Sequence, residues 1–239
     1  MSKILEATRR GLPVDRSTEF GYRLATLDGV NLFPSPPPEQ RAEFEQLANA
    51  LLGFHDGTTG QIVTFASTVQ GEGASYVSYN VARHLSSLLD RKVAWVDANF
   101  RSPQERLNGH GVSFRALLTN PALFSELRMA GNLVSVPNGD EPCKPADLLT
   151  SERYVGLLEQ FQRNFHFTII DTSPILESVE VCHVAAPTRG LILVVESRRL
   201  KHEIIRHGMD IAASHQVRFI GTVLNKRRHD IPDFLYKRL

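Results

Sequence analysis

Six short apolar runs, separated by segments with helical spacing, dominate this sequence of 239 residues. They are QIVTFA, KVAWVD, LVSVP, HFTIID, LILVVE and RFIGTVL, beginning at residues 61, 92, 133, 166, 191 and 218. The runs are nearly continuous rather than alternating, which is typical of strands buried on both faces. Between them, helical spacing relates Val77, Val81, Leu85 and Leu88. The order predicts an α/β fold with a doubly wound, mainly parallel sheet that binds ligands at the carboxyl ends of its strands.

A run of three prolines divides the chain into two predicted parts. Pro36 to Pro38 fix the backbone and remove amide donors, so they are expected to form a stiff spacer. We therefore predict a short N-terminal helix and a proline-rich linker over residues 1–38, partly flexible, and a globular domain over 39–239. The domain is expected to open with a helix whose buried face carries Phe44, Leu47, Leu51 and Leu52.

Composition limits the kinds of partner. With a formal charge of +1, the chain has no global field that favours nucleic acid. Cys143 and Cys182 follow no metal-ligand spacing, which is consistent with two reduced thiols in a cytosolic protein. No window approaches the ~18 apolar residues of a membrane span. Any membrane association is therefore expected to run through a partner.

The segment FASTVQGEGASY, residues 65–76, places a glycine-rich turn between a strand and a helix. Such a turn directs backbone amides and the positive end of a helix dipole at one point, which attracts anions. A complete phosphate-binding loop of the form GxxxxGK[ST] adds a lysine and a hydroxyl. Ser75 supplies the hydroxyl, but Ala74 stands in the lysine position, and no Lys or Arg lies between Gln61 and Asn80. Since a charge-assisted hydrogen bond contributes about 1.5–3 kcal/mol, phosphate binding is expected to be weak.

Polar residues follow three of the predicted strands. KVAWVD and HFTIID end in Asp97 and Asp171, which are candidate ligands of Mg²⁺ or of its water shell. Taken alone, each aspartate could instead cap a helix or end a turn. A late strand ends in Asn225, whose amide can bind an adenine edge, and the basic residues 226–228 are expected to form a solvated turn.

In this order, the motifs over residues 39–226 resemble those of the bacterial tyrosine kinases (BY-kinases). These are cytoplasmic ATPase-like domains that work with polysaccharide co-polymerases in capsule and exopolysaccharide production, and they are relatives of the Min/Par deviant-Walker ATPases. The matching segments are GEGASY, VDANFRSP, GVSFRALL, NLVSVPNG, PADLLTSERY, IIDTSP and GTVLN.

The resemblance implies a nucleotide site and also shows where it is altered. The implied nucleotide-binding positions, here vestigial, are Gly71, Glu72, Gly73, Ala74, Ser75, Tyr76 and Asn225. Ser75, Asp97 and Asp171 are the implied metal ligands if Mg²⁺ binds at all. The family's lysine is replaced by Ala74 and its second aspartate by Asn99, so Asp97, Asn99 and Asp171 are vestiges of a catalytic site that is not intact.

Two further family motifs are altered. The ExxRxxR helix that closes a ring of subunits has Glu43, Gln46 and Asn49 at its three positions, and neutral amides cannot replace the arginines. The C-terminal tyrosine cluster is reduced to Tyr236. A monomer or small oligomer is therefore expected rather than a ring.

The expected function is that of a pseudokinase. It would serve as a cytoplasmic interaction or regulatory module in exopolysaccharide or capsule biosynthesis and export, peripheral to the inner membrane through a membrane-anchored polysaccharide co-polymerase or another exopolysaccharide-assembly protein. No cofactor is required by this interpretation. A weak ATPase or tyrosine kinase that binds Mg-ATP or Mg-ADP is the first alternative, and a Min/Par-like positioning ATPase is the second.

Overall fold

A computed structural model describes Leu5–Glu6 and residues 32–53, 59–101 and 111–227. Its sheet has seven strands in the order β1-β7-β6-β2-β5-β3-β4, and every neighbouring pair is parallel. The strands are β1 (Leu5–Glu6), β2 (Gln61–Ser67), β3 (Val93–Ala98), β4 (Leu133–Val136), β5 (Phe167–Thr172), β6 (Leu191–Glu196) and β7 (Phe219–Asn225). The parallel α/β fold predicted from the apolar runs is confirmed.

Helices flank the sheet on both faces. They are α1 (Pro38–Leu52), α2 (Ala74–Leu89), α3 (Phe114–Thr119), α4 (Pro145–Leu149), α5 (Glu152–Asn164), α6 (Glu180–Ala185) and α7 (His202–Ser214), with a 3-10 helix over Pro121–Glu126. The predicted apolar face of α1 is largely buried, as is that of α2 at Val77, Val81 and Leu85. Leu88 lies in α2, as its helical spacing predicts, although its side chain is 44% exposed. It lies in the last turn of α2.

The core lies on both sides of the central strands. On one side, Phe44 of α1 and Tyr79 of α2 pack with Trp95 of β3. On the other side, Phe114 of α3 and Phe161 of α5 fill the space between helices and sheet. Burying an apolar side chain of this size contributes about 1.5–3 kcal/mol, so the two layers fix the strands and the polar residues that follow them.

The N-terminal part contacts the domain at two described places. Leu5 and Glu6, predicted to lie in a short helix, instead pair with Val223 and Leu224 at the edge of the sheet. An edge strand offers unpaired backbone groups, which explains why a strand forms there. Residues 32–37 pack against α2, where the Arg83 guanidinium donates to the Ser35 hydroxyl at 3.2 Å. None of the helices in the described ranges combines the length and the apolar composition that a membrane span requires.

Candidate functional site

The glycine-rich turn after β2 has the backbone of an anion-binding loop. Gly71 and Gly73 adopt left-handed conformations with φ of 87° and 96°. A Cβ at position 73 would collide with the side-chain amide of Asn225. Within the described part of the chain, the N–H groups of residues 71–76 donate to no other residue. These amides surround the start of α2, where a helix dipole also favours an anion.

Glu72 does not face the ligand side of this loop. Its carboxylate is fully buried and accepts hydrogen bonds from the amides of Thr68 at 2.7 Å, Val69 at 2.9 Å and Glu196 at 3.0 Å. Charge-assisted hydrogen bonds of this kind are roughly twice as strong as neutral ones. The Glu72 side chain therefore links the loop to the preceding residues Thr68 and Val69 and to the end of β6.

The end of β7 contacts the same loop. Asn225 is buried, and its side-chain amide donates to the Glu72 carbonyl at 2.7 Å while its oxygen accepts from the Lys226 amide at 2.9 Å. Lys226, predicted to lie in a solvated turn, donates from Nζ to the Gly71 carbonyl at 2.6 Å. It also pairs with a Glu196 oxygen at 3.1 Å. Sequence reasoning missed this contact, and a lysine directly after the strand-end Asn225 was its only local signal.

Ala74 and Tyr76 belong to the core rather than to an open pocket. Ala74 is 6% exposed and packs in the layer between α1, α2 and the sheet. The Tyr76 ring makes edge contacts with Phe33 at 6.1 Å and Phe44 at 6.0 Å between ring centroids. Burial raises the pKa of the Tyr76 hydroxyl, opposed in part by Arg83. Position 74 thus presents no cation to the loop.

Asp97 and Asp171 lie side by side at the carboxyl ends of β3 and β5, where they are register partners. Both are fully buried. The Asp97 carboxylate accepts from the Asn99 amide at 2.9 Å, whereas neither Asp171 oxygen has a hydrogen-bond partner among the described residues. Burial, and then the Asp97 charge, hold the pKa of Asp171 well above its usual range, although the nearby Ser75 and Ser78 hydroxyls oppose this in part.

This acidic pair fits a divalent cation. An unpaired buried carboxylate is costly unless it is neutralised or coordinates a metal. In the described ranges, no group of three or more His, Cys, Asp or Glu side chains could hold a metal by itself. Mg²⁺ does not require one, since it commonly binds one or two carboxylates together with water and phosphate oxygens. Asp97, Asp171 and the Ser75 hydroxyl are the side chains here that could contribute.

Asn99 is held by the turn that follows β5. Its side-chain oxygen accepts from the Ser173 hydroxyl at 2.8 Å and from the Arg101 amide at 3.2 Å. Asn99 is buried, and its backbone amide donates to the Asp97 carboxylate, so it lies beside the acidic pair. A neutral amide in this place carries no negative charge with which to accept a proton from an attacking hydroxyl.

Helix α1 presents the altered oligomerisation positions to solvent. Gln46 and Asn49 are exposed, Glu43 is half-buried, and the neighbouring Phe44 and Leu47 face the core. Tyr236, the predicted remnant of the tyrosine cluster, lies outside the described residues.

The fold and the loop define a P-loop NTPase-like protein. No family model matches the chain. It is 29% identical over 146 residues to tyrosine-protein kinase ptk of Acinetobacter johnsonii, covering 56% of this chain but only 19% of that kinase. It is 24% identical over 172 residues to tyrosine-protein kinase YwqD of Bacillus subtilis, covering 70% of this chain and 72% of YwqD.

A solved structure gives the same assignment at the level of the fold. The crystal structure of the chimerical protein CapA2B2 superposes with a TM-score of 0.70 at 21% identity, covering 81% of this chain and 87% of that one. The chain is therefore similar in sequence to bacterial tyrosine kinases, as the order of its motifs predicts, and it shares the fold of CapA2B2.

Proposed function

We propose that this chain is a catalytically impaired BY-kinase that acts by contact, as an interaction or regulatory module in exopolysaccharide or capsule biosynthesis and export. One observation carries the proposal: the residue after Gly73 is a buried alanine, so no ammonium projects from the start of α2 towards the loop amides. Phosphoryl transfer depends on neutralising charge on the transferred group, and preorganised cations are its main source.

The groups around the loop support a loss of phosphoryl transfer in a protein that keeps the structure of the phosphate-binding loop. Glu72 and Asn225 hold the loop from within the protein. Asn99 replaces a carboxylate beside the acidic pair with a neutral amide. The backbone that binds an anion is thus kept, while the charges that drive chemistry are absent at two positions.

Weak binding of Mg-ADP or Mg-ATP is compatible with this function. Asp97, Asp171 and Ser75 are the side chains that would hold Mg²⁺, and the loop amides would hold phosphate oxygens. The ion would supply positive charge between carboxylates and phosphates. Burial of the acidic pair keeps water from screening that charge.

The partner we propose is a polysaccharide co-polymerase at the inner membrane, with this chain as its cytoplasmic module. Support comes from the BY-kinase family and from the CapA2B2 chimera as a structural relative. Gln46 and Asn49 replace arginines on the exposed face of α1, so we propose a monomer or small oligomer.

An Ala74→Lys variant tests the proposal, with Ala74→Met as the uncharged control of similar length. Wild-type protein should show no multiple-turnover ATP hydrolysis. Ala74→Lys should bind Mg-ADP about 10- to 100-fold more tightly in calorimetry, since one charge-assisted contact is restored. Ala74→Met should not. Multiple turnover by the wild type, or autophosphorylation of Tyr236, would overturn the proposal.

A weak ATPase is the second candidate, and the intact acidic pair favours it. An Asp171→Asn variant shows whether a low ATPase activity comes from this site or from a contaminating enzyme. Genuine turnover at this site would be abolished by the substitution, whereas a contaminating ATPase would be unaffected.

A further inference from the structure

Lys226 contacts the loop from outside the P-loop motif. Its Nζ lies 2.6 Å from the Gly71 carbonyl and 3.1 Å from Glu196 Oε2. Arg199 reaches the same Glu196 oxygen at 3.1 Å. Two cations and one carboxylate therefore meet at the outer rim of the loop, although the loop itself carries no basic residue.

Glu196 links this rim to the inside of the loop. Its backbone amide donates to the buried Glu72 carboxylate at 3.0 Å, while its own carboxylate accepts from Lys226. The Glu72 carbonyl in turn accepts from Asn225 at 2.7 Å. Residues at the ends of β6 and β7 thus hydrogen-bond to two successive carbonyls of the loop. Lys226 binds that of Gly71, and Asn225 binds that of Glu72.

The backbone of Lys226 is held in one conformation. Its φ is 53°, a left-handed conformation that lysine rarely adopts. Its amide donates to the Asn225 side chain, which fixes the backbone at the point where β7 ends. From this backbone position the ammonium contacts the Gly71 carbonyl and Glu196.

We propose that Lys226 is a positioning residue that, with Glu196, keeps the phosphate-binding loop in its anion-binding shape without nucleotide. In this chain the loop would be ordered by protein groups on β6 and β7 rather than by a bound phosphate and a P-loop lysine. The inference goes beyond the proposed loss of catalysis, because its test needs no nucleotide.

Hydrogen exchange on the nucleotide-free full chain tests the proposal. The reporters are the amides that Glu72 holds, those of Thr68, Val69 and Glu196. Lys226→Met keeps the length of the side chain and removes its charge and donors. We expect exchange at these amides to be about two- to tenfold faster, the range for one lost hydrogen bond.

Two further variants make the result specific. Lys226→Arg can donate to both the Gly71 carbonyl and Glu196, so exchange should return towards the wild-type rate. Lys201→Met removes an exposed cation from the segment between β6 and α7 and should leave the reporters unchanged. Unchanged exchange at the β3 and β5 amides in Lys226→Met would show that the fold is kept.

Three results would overturn the proposal. Lys226→Met could exchange at the wild-type rate, in which case the lysine does not hold the loop. Lys201→Met could accelerate exchange equally, which would indicate a general effect of charge. Lys226→Arg could fail to restore protection while the fold is intact, which would show that the donor contacts are not the cause. ATP turnover by the wild type would contradict the proposed function but not this result.

Discussion

Replacing Asp171 by asparagine should stabilise the metal-free protein at neutral and alkaline pH. The fold raises the pKa of this carboxyl well above its ordinary value of 3.8, first through burial and then through the Asp97 charge. When folding raises the pKa of an acid, a rise in pH ionises the unfolded chain before the folded one, and this favours unfolding. The contribution of Asp171 to stability is therefore fully present at and below its ordinary pKa, and it is lost as the pH rises from there towards the folded pKa. Asparagine does not titrate, so this loss disappears.

The size of the effect follows from the environment of Asp171. Both oxygens are buried and have no hydrogen-bond partner among the described residues, and each unit by which folding raises the pKa lowers stability at high pH by about 1.4 kcal/mol. For a chain of this length, 1 kcal/mol corresponds to about 2–4 °C in Tm. Thermal unfolding from pH 4 to pH 8, without divalent cations, should show a gain for Asp171→Asn that grows with pH and vanishes near pH 4.

Magnesium should reverse the order of the two proteins. A cation that binds the folded state stabilises it by mass action, so excess Mg²⁺, with ADP where needed, should raise the Tm of the wild type but not of Asp171→Asn. Asp210→Asn, an exposed change on α7, serves as the control and should follow the wild type. A variant that is less stable than the wild type at every pH, or one that keeps the full magnesium shift, would refute the reasoning.

Two other predictions concern α2. Gly73→Ala should lower the free energy of unfolding in urea by about 1–3 kcal/mol, because the new Cβ meets Asn225 at a φ of 96°. Gly131→Ala, at a φ of 61° with open space around it, should cost less; equal losses would show that the Asn225 contact is unimportant. The pKa of His84 is lowered mainly by burial. The Glu45 charge opposes this lowering, and the Arg83 charge adds to it. Because the unfolded chain takes up this proton first, stability should fall as pH drops below 6.5. His84→Gln should flatten this part of a Tm–pH profile, and the exposed His207→Gln should not. A profile unchanged by His84→Gln would show that another group titrates there.

The strands were predictable because their signal is local. LILVVE coincides with β6, and the other predicted runs differ from β2, β3, β4, β5 and β7 by one residue at one or both ends. A strand buried on both faces must be apolar along its whole length, so the sequence alone marks it. The alignment of Asp97 with Asp171 follows from the same rule, since the carboxyl ends of parallel strands share one edge of the sheet.

The contacts around the loop were not predictable in the same way. Glu72 meets the Glu196 amide 124 residues away, and Lys226 meets the Gly71 carbonyl across 155 residues. Neither pairing has a spacing or periodicity that a local pattern could reveal. The sequence places Glu72 among the nucleotide-binding positions of the loop, but it does not reveal that the Glu72 side chain holds backbone amides inside the protein.

The acidic pair of Asp97 and Asp171 bears on whether the protein lost phosphoryl transfer alone or lost metal binding as well. Asp171 is buried beside a second carboxylate, and the nearby Ser75 and Ser78 hydroxyls oppose the resulting rise of its pKa only in part. Asparagine at this position would avoid the charge, as asparagine does at position 99, where Ser173 and the Arg101 amide satisfy it. An ionised pair is favourable only if a cation neutralises it. Asp97 and Asp171 therefore support the proposal that this site can still bind Mg²⁺, so that loss of transfer need not include loss of metal binding.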